Sequence, residues 1–479
     1  MGKLHEECGI FGIYNLDNLD VADETYLALY ALQHRGQESC GIAVNDSGVI
    51  ISHKDLGLVP DVFTAEKIKQ LGKGNIAVGH VRYSPGNNPD RANSQPLVMR
   101  YIKGSLAIAN NGSLVNNLEL KAKLEENGAI FQTTCDAEII AYMIARERVK
   151  AHSIEAALVK AMEKLKGAYT LTIMSPQKLI AARDPNGFRP LCIGKIKNSY
   201  CVASESCVLN SIGAEFIRDV KPGEVIVIDE KGLKSIETHC NKKTSMCIFE
   251  FVYFARPDSV LDGQSVNLAR QKAGELLAKS HPVDADVVVG VPDSGLDAAL
   301  GYANYSKIPY GIGFVKNKYI GRTFIQDKQK KRERSVGIKL NPMSSAVKGK
   351  RVILVDDSIV RGTTCAKIVA HLRKAGATEV HMRISSPLFL NPCYFGTDID
   401  SRDKLIACRM SVDEIRDHVG ADSLGFLKID QVHKIAPDAK EVNFCDACFS
   451  GNYPMEVPSE KPIDKYGKKI GELDTLFKI

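Results

Sequence analysis

The run Arg351-Val-Ile-Leu-Val-Asp-Asp-Ser-Ile-Val-Arg-Gly-Thr-Thr364 constrains this chain more than any other feature. Arg351 to Val355 reads as a buried parallel strand, with Asp356 and Asp357 at its carboxyl end. Doubly wound sheets bind ligands at that edge. Ser358 to Thr364 then turns into a helix whose first N–H groups and positive dipole end suit an anion. Hydroxyls and backbone amides match a phosphate monoester, and adjacent carboxylates match vicinal ribose hydroxyls. A lone Asp-Asp pair is most often a capped surface turn, but the whole strand, turn and helix start outweighs that reading.

The surroundings agree. After about Thr244 a helix (NLARQKAGELLAK) leads to the strand DVVVGV, the helix GLDAALGYANYS and the strand IPYGIGFV. A basic segment interrupts. The strand at Arg351, a helix from Thr364 to Ala375 and the strand EVHMRISS follow. Such alternation predicts a parallel sheet of βαβ units. Cys365, Ile368, Val369 and Leu372 give that helix an i, i+3, i+4, i+7 stripe. Before Thr244 the rhythm differs: CGIFGIYN, GVIISH, NIAVGHV, GSLAIANN, YTLTIMS and EVIVID read as strands in a mixed α+β layer. Asp136 is expected to cap a helix through EIIAYMIARERV, and Ser153 a second through AALVKAMEKLKG. At 479 residues the chain is long enough for two or three domains, and the change of pattern places a boundary near residue 240.

No apolar run is long enough to span a bilayer, and the N-terminus lacks a secretory signal, so a cytoplasmic chain is expected. Thirteen cysteines in that setting read as core filler, metal ligands or nucleophiles, not disulfides. The net charge of +6 is concentrated: Lys316 to Lys339 holds nine Lys and Arg against Asp327 and Glu333. That pattern points to a local anion site and not to a nucleic-acid-coated surface; only Tyr319 and Phe324 in it could stack on bases.

The element at Arg351 resembles the phosphoribosylpyrophosphate (PRPP) loop of type I phosphoribosyltransferases. Val291-Pro-Asp-Ser-Gly295 resembles their pyrophosphate loop. The resemblance implies that Asp356 and Asp357 hold the ribose hydroxyls, and that Ser358, Arg361, Gly362, Thr363 and Thr364 wrap the 5′-phosphate. It also implies that Lys316 meets the pyrophosphate side and that Ser294, Asp356 and Asp357 hold Mg²⁺. In the first half Cys8-Gly9, Gln33-His-Arg-Gly-Gln37, His80-Val-Arg-Tyr83, Asn111-Gly112 and Asp136 resemble, in order and spacing, class II glutamine amidotransferases. Amide hydrolysis needs a nucleophile, a base and donors for the oxyanion. The match makes Cys8 the nucleophile, its own α-amine the base, and Asn111 with the Gly112 N–H the oxyanion donors. Arg82 would bind the glutamine carboxylate and Asp136 its ammonium, with His80 and Arg35 as support.

Together these motifs, with FRPLCIG, FVYFARPDS and FVKNKYIGRTFI, resemble the amidophosphoribosyltransferase family nearly end to end. The implied architecture is an α+β N-terminal nucleophile hydrolase sandwich followed by an α/β type I phosphoribosyltransferase parallel-sheet domain. Its expected bounds are 1–7 propeptide, 8–240 and 241–479. The implied reaction hydrolyses glutamine and passes ammonia to C1 of PRPP. It yields 5-phosphoribosylamine, the first committed intermediate of purine synthesis. Cys445-Asp-Ala-Cys448 has metal-ligand spacing. With Cys247 and Cys393 it resembles a subgroup that carries one 4Fe-4S cluster and a short propeptide. The other eight cysteines are read as structural. The family further implies a homotetramer inhibited by purine nucleotides. A PRPP-sensing regulator would need no glutaminase half, so the Cys8, Arg82, Asn111 and Asp136 set argues against that class.

Overall fold

The computed structural model describes residues 8–17, 19–83, 90–240, 243–317, 340–397, 399, 401–439 and 442–458. The expected propeptide (1–7), residues 84–89 just after His80-Val-Arg-Tyr83, and the basic segment from 318 to 339 lie outside the described residues. No helix among the described residues is long and apolar enough to cross a membrane.

Two antiparallel sheets build the first half. One has seven strands, in spatial order Glu215–Asp219, Cys192–Ile196, Ser199–Ala203, Gly9–Tyr14, Ile76–Arg82, Ser39–Asp46 and Val49–Leu56. The other has six: Gly232–Ile236, Val225–Asp229, Leu179–Arg183, Thr170–Met174, Gly104–Asn111 and Leu97–Tyr101. Side chains alternate across each strand. In the first strand Phe11 and Ile13 pack on the helix Val21–Ala31. Ile10 and Tyr14 join Met174, Leu179 and Ile226 between the sheets. Leu171 and Ile173 face the helices Asp136–Lys150 and Ile154–Met162 on the far side. The result is a four-layer sandwich, helix–sheet–sheet–helix, the architecture expected of an N-terminal nucleophile hydrolase.

Ser153 caps its helix as expected, accepting from the Ala156 N–H. Asp136 does not. It is the first residue inside its helix, Cys135 is the cap position, and the Asp136 carboxylate reaches across to residues 113–117. The reason is competition: a buried carboxylate takes the donors of a neighbouring loop that would otherwise go unpaired.

The second half centres on four parallel strands, Val287–Gly290, Arg351–Asp356, Glu379–Ile384 and Ser423–Phe426, adjacent in chain order. Val288, Ile353 and Val355 face the helices Val266–Ser280 and Gly295–Ser306. Val287, Val289, Val352 and Leu354 face the helix Thr363–Lys374, whose buried side chains are the predicted Cys365, Ile368, Val369 and Leu372. The run IPYGIGFV joins this sheet more weakly than expected. Only Tyr310 bridges to Val288; Phe314–Lys316 leaves to pair antiparallel with Leu340–Pro342. Gly311 and Gly313 let the run pass close over the edge strand, where a Cβ would stand 2.6 and 2.4 Å from Val287 and Val289. They offer no side chains to hold it there as a further strand.

The halves are joined by buried contacts. Arg183 forks onto Asp262 at 2.8 Å through both terminal nitrogens, and Phe188 stacks on Phe395 with ring centroids 4.2 Å apart. Because Leu171 is fully buried in the sheet-to-helix core, Leu171→Ala should cost about 2–5 kcal/mol. Urea denaturation should register it, while Leu118→Ala on an exposed helix face should stay within about 0.5 kcal/mol.

Candidate active site

Cys8 immediately precedes the first strand, and its thiol lies 3.7 Å from the Tyr83 carbonyl at the end of the neighbouring strand. Antiparallel pairing of Gly9 with Val81 sets this, so Arg82 and Tyr83 emerge beside the thiol. Arg82 donates to Glu38 at 2.9 Å. Asn111 ends the strand Gly104–Asn111 and is almost wholly buried, yet neither its amide nitrogen nor its oxygen has a partner among the described residues. An orphaned buried amide is expensive unless a ligand completes it. Gly112 follows at φ 129°, and a Cβ there would stand 2.4 Å from the Ala168 carbonyl, so only glycine fits.

Asp136 accepts from the Leu114 N–H (2.7 Å), the Ser113 hydroxyl (3.3 Å) and the Asn117 amide (3.1 Å). It thereby straps down the loop that follows Asn111-Gly112. Burial pushes its carboxyl above the usual range, against the pull of those three hydrogen bonds. His80 is fully buried against the Asn110 carbonyl, and burial drives its pKa down to about 3, so it is neutral support.

Gln33-His-Arg-Gly forms a turn in which three side chains are used. Gln33 bonds the Gly36 carbonyl and the Val59 N–H, and His34 meets Glu205 at 2.8 Å. Arg35 donates its Nε to the Cys8 carbonyl at 3.0 Å. Its other nitrogens reach Glu205 (2.6 Å) and Glu250 (3.0 and 2.8 Å). Neither acid carried a role in the sequence reading. Glu250 immediately precedes FVYFARPDS, one of the runs that carry the family resemblance.

In the second half the two motifs converge. The Ser294 and Ser358 hydroxyls both donate to the Asp357 carboxylate, and the Asp356 carboxylate accepts from the Asp357 N–H at 3.0 Å. The Val291 N–H bonds the Val355 carbonyl at 2.9 Å, which brings the Val291–Gly295 loop beside the carboxyl end of the Arg351 strand. Gly362, at φ 77°, starts the helix Thr363–Lys374, with Arg361 in the preceding turn. Lys316 pairs with Asp293 of the same loop. Tyr253, missed in the sequence, belongs here: burial foremost, then Asp357 and Asp356, hold its phenol well above the ordinary range.

Cys247, Cys393, Cys445 and Cys448 line one cavity together with Phe188, Phe249, Phe389, Phe395 and Tyr453. Cys247 and Cys445 are direct partners in a short parallel pairing, and the Cys448 carbonyl takes the Leu390 and Asn391 N–H groups. Burial pushes the Cys445 thiol to about 12 and raises Cys448 strongly, with the other cysteines adding to the rise. Among the described residues no three His, Cys, Asp or Glu side chains are grouped to hold a single metal ion.

Residues 80–211 match the glutamine amidotransferase domain family, and residues 258–385 match the phosphoribosyl transferase domain family. The amidophosphoribosyltransferase of Methanocaldococcus jannaschii is 46% identical over 469 residues, covering 95% of this chain and 99% of that one. That of Bacillus subtilis is 46% identical over 459 residues, covering 95% of each. Among solved structures, the B. subtilis glutamine PRPP amidotransferase complexed with ADP and GMP aligns with TM-score 0.87 at 45% identity, covering 94% of this chain and 98% of that one. A structure described as the allosteric regulatory enzyme of purine biosynthesis aligns with TM-score 0.89 at 44% identity, covering 97% and 99%. With both halves matched in one order and at these identities, the chain belongs to the amidophosphoribosyltransferase family.

Proposed function

We propose that Cys8 is the nucleophile of a glutamine-dependent amidophosphoribosyltransferase whose residues 8–240 release ammonia and whose residues 241–479 use it on PRPP. The reaction of the family opens purine synthesis. Glutamine and water give glutamate and ammonia; ammonia and PRPP give 5-phosphoribosylamine and pyrophosphate. The buried Asn111 amide, without a partner among the described residues, carries the reading of the first half. His80, on the strand that pairs with the one Cys8 precedes, meets the adjacent Asn110 carbonyl at 3.1 Å. That contact ties the Asn111 strand end to the strand that brings Tyr83 to Cys8.

The Cys8 thiol would add to the side-chain amide carbon of glutamine while its own α-amine takes the thiol proton and returns it to departing ammonia. Asn111 and the Gly112 N–H would meet the negative oxygen of the tetrahedral intermediate. Water then attacks the thioester and regenerates the thiol. Arg82 suits the substrate carboxylate and Asp136 its ammonium. In the second half Asp356 and Asp357 suit the ribose hydroxyls. Ser358, Arg361, Gly362, Thr363 and Thr364 suit the 5′-phosphate at the positive helix end. Lys316, already beside Asp293, suits pyrophosphate. Ser294, Asp356 and Asp357 present hard oxygen donors, which fit Mg²⁺; when bound it would neutralise pyrophosphate charge. Displacement at C1 then needs little beyond positioning and charge stabilisation.

Four thiols lining one cavity together with Phe188, Phe249, Phe389, Phe395 and Tyr453 form an all-sulfur donor set of the kind a 4Fe-4S cluster takes. It would staple Cys247 at the start of the second half to its end. A purine nucleotide inhibitor is supported by the ADP and GMP complex of the B. subtilis relative. A cytoplasmic homotetramer remains part of the proposal on family resemblance.

Assays of glutamate and pyrophosphate release from glutamine, PRPP and Mg²⁺ test the whole reading. Mass spectrometry of active enzyme should find Cys8 as the first residue, because its α-amine does not exist while Glu7 is attached. Cys8→Ala should abolish glutamine use and keep ammonia-dependent synthesis; loss of both would count against two separable sites. Protein purified without oxygen should carry about four irons with matching sulfide. Stoichiometric zinc without iron would overturn the cluster.

Acid should weaken glutamine binding earlier than an ordinary aspartate allows. Asp136 has a raised pKa, so its charge is lost at a higher pH as the solution is acidified. The KM for glutamine should rise through that range, and Asp136→Asn should flatten the rise.

A further inference from the structure

Arg35, Glu205, Glu250 and Arg189 are all fully buried, and their hydrogen bonds run unbroken from the Cys8 carbonyl into the second half. The two acids do different work. Glu205 also receives His34, the Arg256 N–H and the Ser259 hydroxyl, so it is spread over several loops. Glu250 gives its carboxylate to guanidinium groups: Oε1 and Oε2 take both terminal nitrogens of Arg35, and Oε1 also takes Arg189 at 3.3 Å. Arg189 is itself anchored, donating to the Phe395 carbonyl at 2.9 Å and the Thr397 hydroxyl at 3.4 Å.

A two-point carboxylate–guanidinium fork fixes the guanidinium plane as well as its position. Once that plane is fixed, the direction of the Arg35 Nε–H is fixed, and it is aimed at the Cys8 carbonyl. The Cys8 amine and side chain both leave the Cα next to that carbonyl carbon, so holding the carbonyl limits where base and thiol can stand. We infer that Glu250, supplied by the second half, is a positioning residue for the Cys8 nucleophile, acting through Arg35. This rests on the reading of Cys8 as nucleophile. It means that the glutaminase site is incomplete without the chain beyond residue 240.

The test compares full-length wild type, Glu250→Gln and Cys8→Ala. Glutamine hydrolysis gives kcat and KM, and pyrophosphate release with ammonium chloride reports the other site. Iodoacetamide alkylation of Cys8 across pH reports its thiol directly. Glu250→Gln should lower glutaminase kcat by about 10- to 100-fold, the scale of a small misplacement of reacting groups. KM should stay within about threefold and ammonia-driven synthesis should persist. The alkylation profile should shift. Unchanged kcat, or an equal fall of both activities, would overturn the assignment. If Glu250→Gln does not accumulate as soluble protein, Glu250→Asp, which keeps the charge and shortens the reach, decides on the same readouts. Glutamine turnover by Cys8→Ala would instead remove the nucleophile reading, and the proposal with it, without reference to Glu250.

Discussion

A guanidinium with no exposed surface is the constraint around which the junction is built. Arg35 must stay charged, and burying a charge without partners is prohibitive. Glu205 and Glu250 raise its pKa further against the opposing effect of burial. One acid comes from each side of residue 240, so the charge can be satisfied only when the halves are docked. The Arg183–Asp262 fork repeats the device nearby. Such pairs add less net stability than their Coulomb energy suggests, because desolvation offsets it. What they contribute is a unique arrangement: any other docking leaves a buried charge unpaired.

Both candidate sites sit where regular structure ends. Asp356 closes the Arg351 strand, Asn111 closes the Gly104 strand, and Arg82 closes the Ile76 strand. A strand interior spends its backbone groups on its neighbours and its side chains on packing. At the last residue the ladder stops, and side chains gain room to face a ligand while the rigid sheet still holds the Cα in place. Fixed register then does the assembling. The pairing of Gly9 with Val81 puts Tyr83 at Cys8, and the hydrogen bond from Val291 to Val355 sets Ser294 at Asp357.

Much of this was legible in the residues. The stripe Cys365, Ile368, Val369, Leu372 packs as its spacing predicts, because helix periodicity and one-sided burial are local properties. The paired acids and the turn after them were legible for the same reason: strand, carboxylates and helix start are contiguous. The Asp136 cap was misjudged because a carboxylate at a helix start has two uses. The choice fell to donors 19 to 23 residues away. Likewise IPYGIGFV has the composition of a strand, but its glycines and the ribbon with Leu340–Pro342 draw most of it off the sheet.

The chain by itself determined the period of each segment, the order of its motifs and the chemistry available at each, since these depend on neighbours within a few residues. Tertiary structure alone decided which buried charges meet. Nothing local distinguishes Glu250 from any other glutamate. Its partner Arg35 lies 215 residues earlier, and only the docking of two separately patterned halves places the carboxylate against that guanidinium and the guanidinium against the Cys8 carbonyl. The gathering of Cys247, Cys393, Cys445 and Cys448 about one cavity is of the same kind. Spacing brings together only the last two; the strand pairing of Cys247 with Cys445 and the loop tied to the Cys448 carbonyl bring the rest.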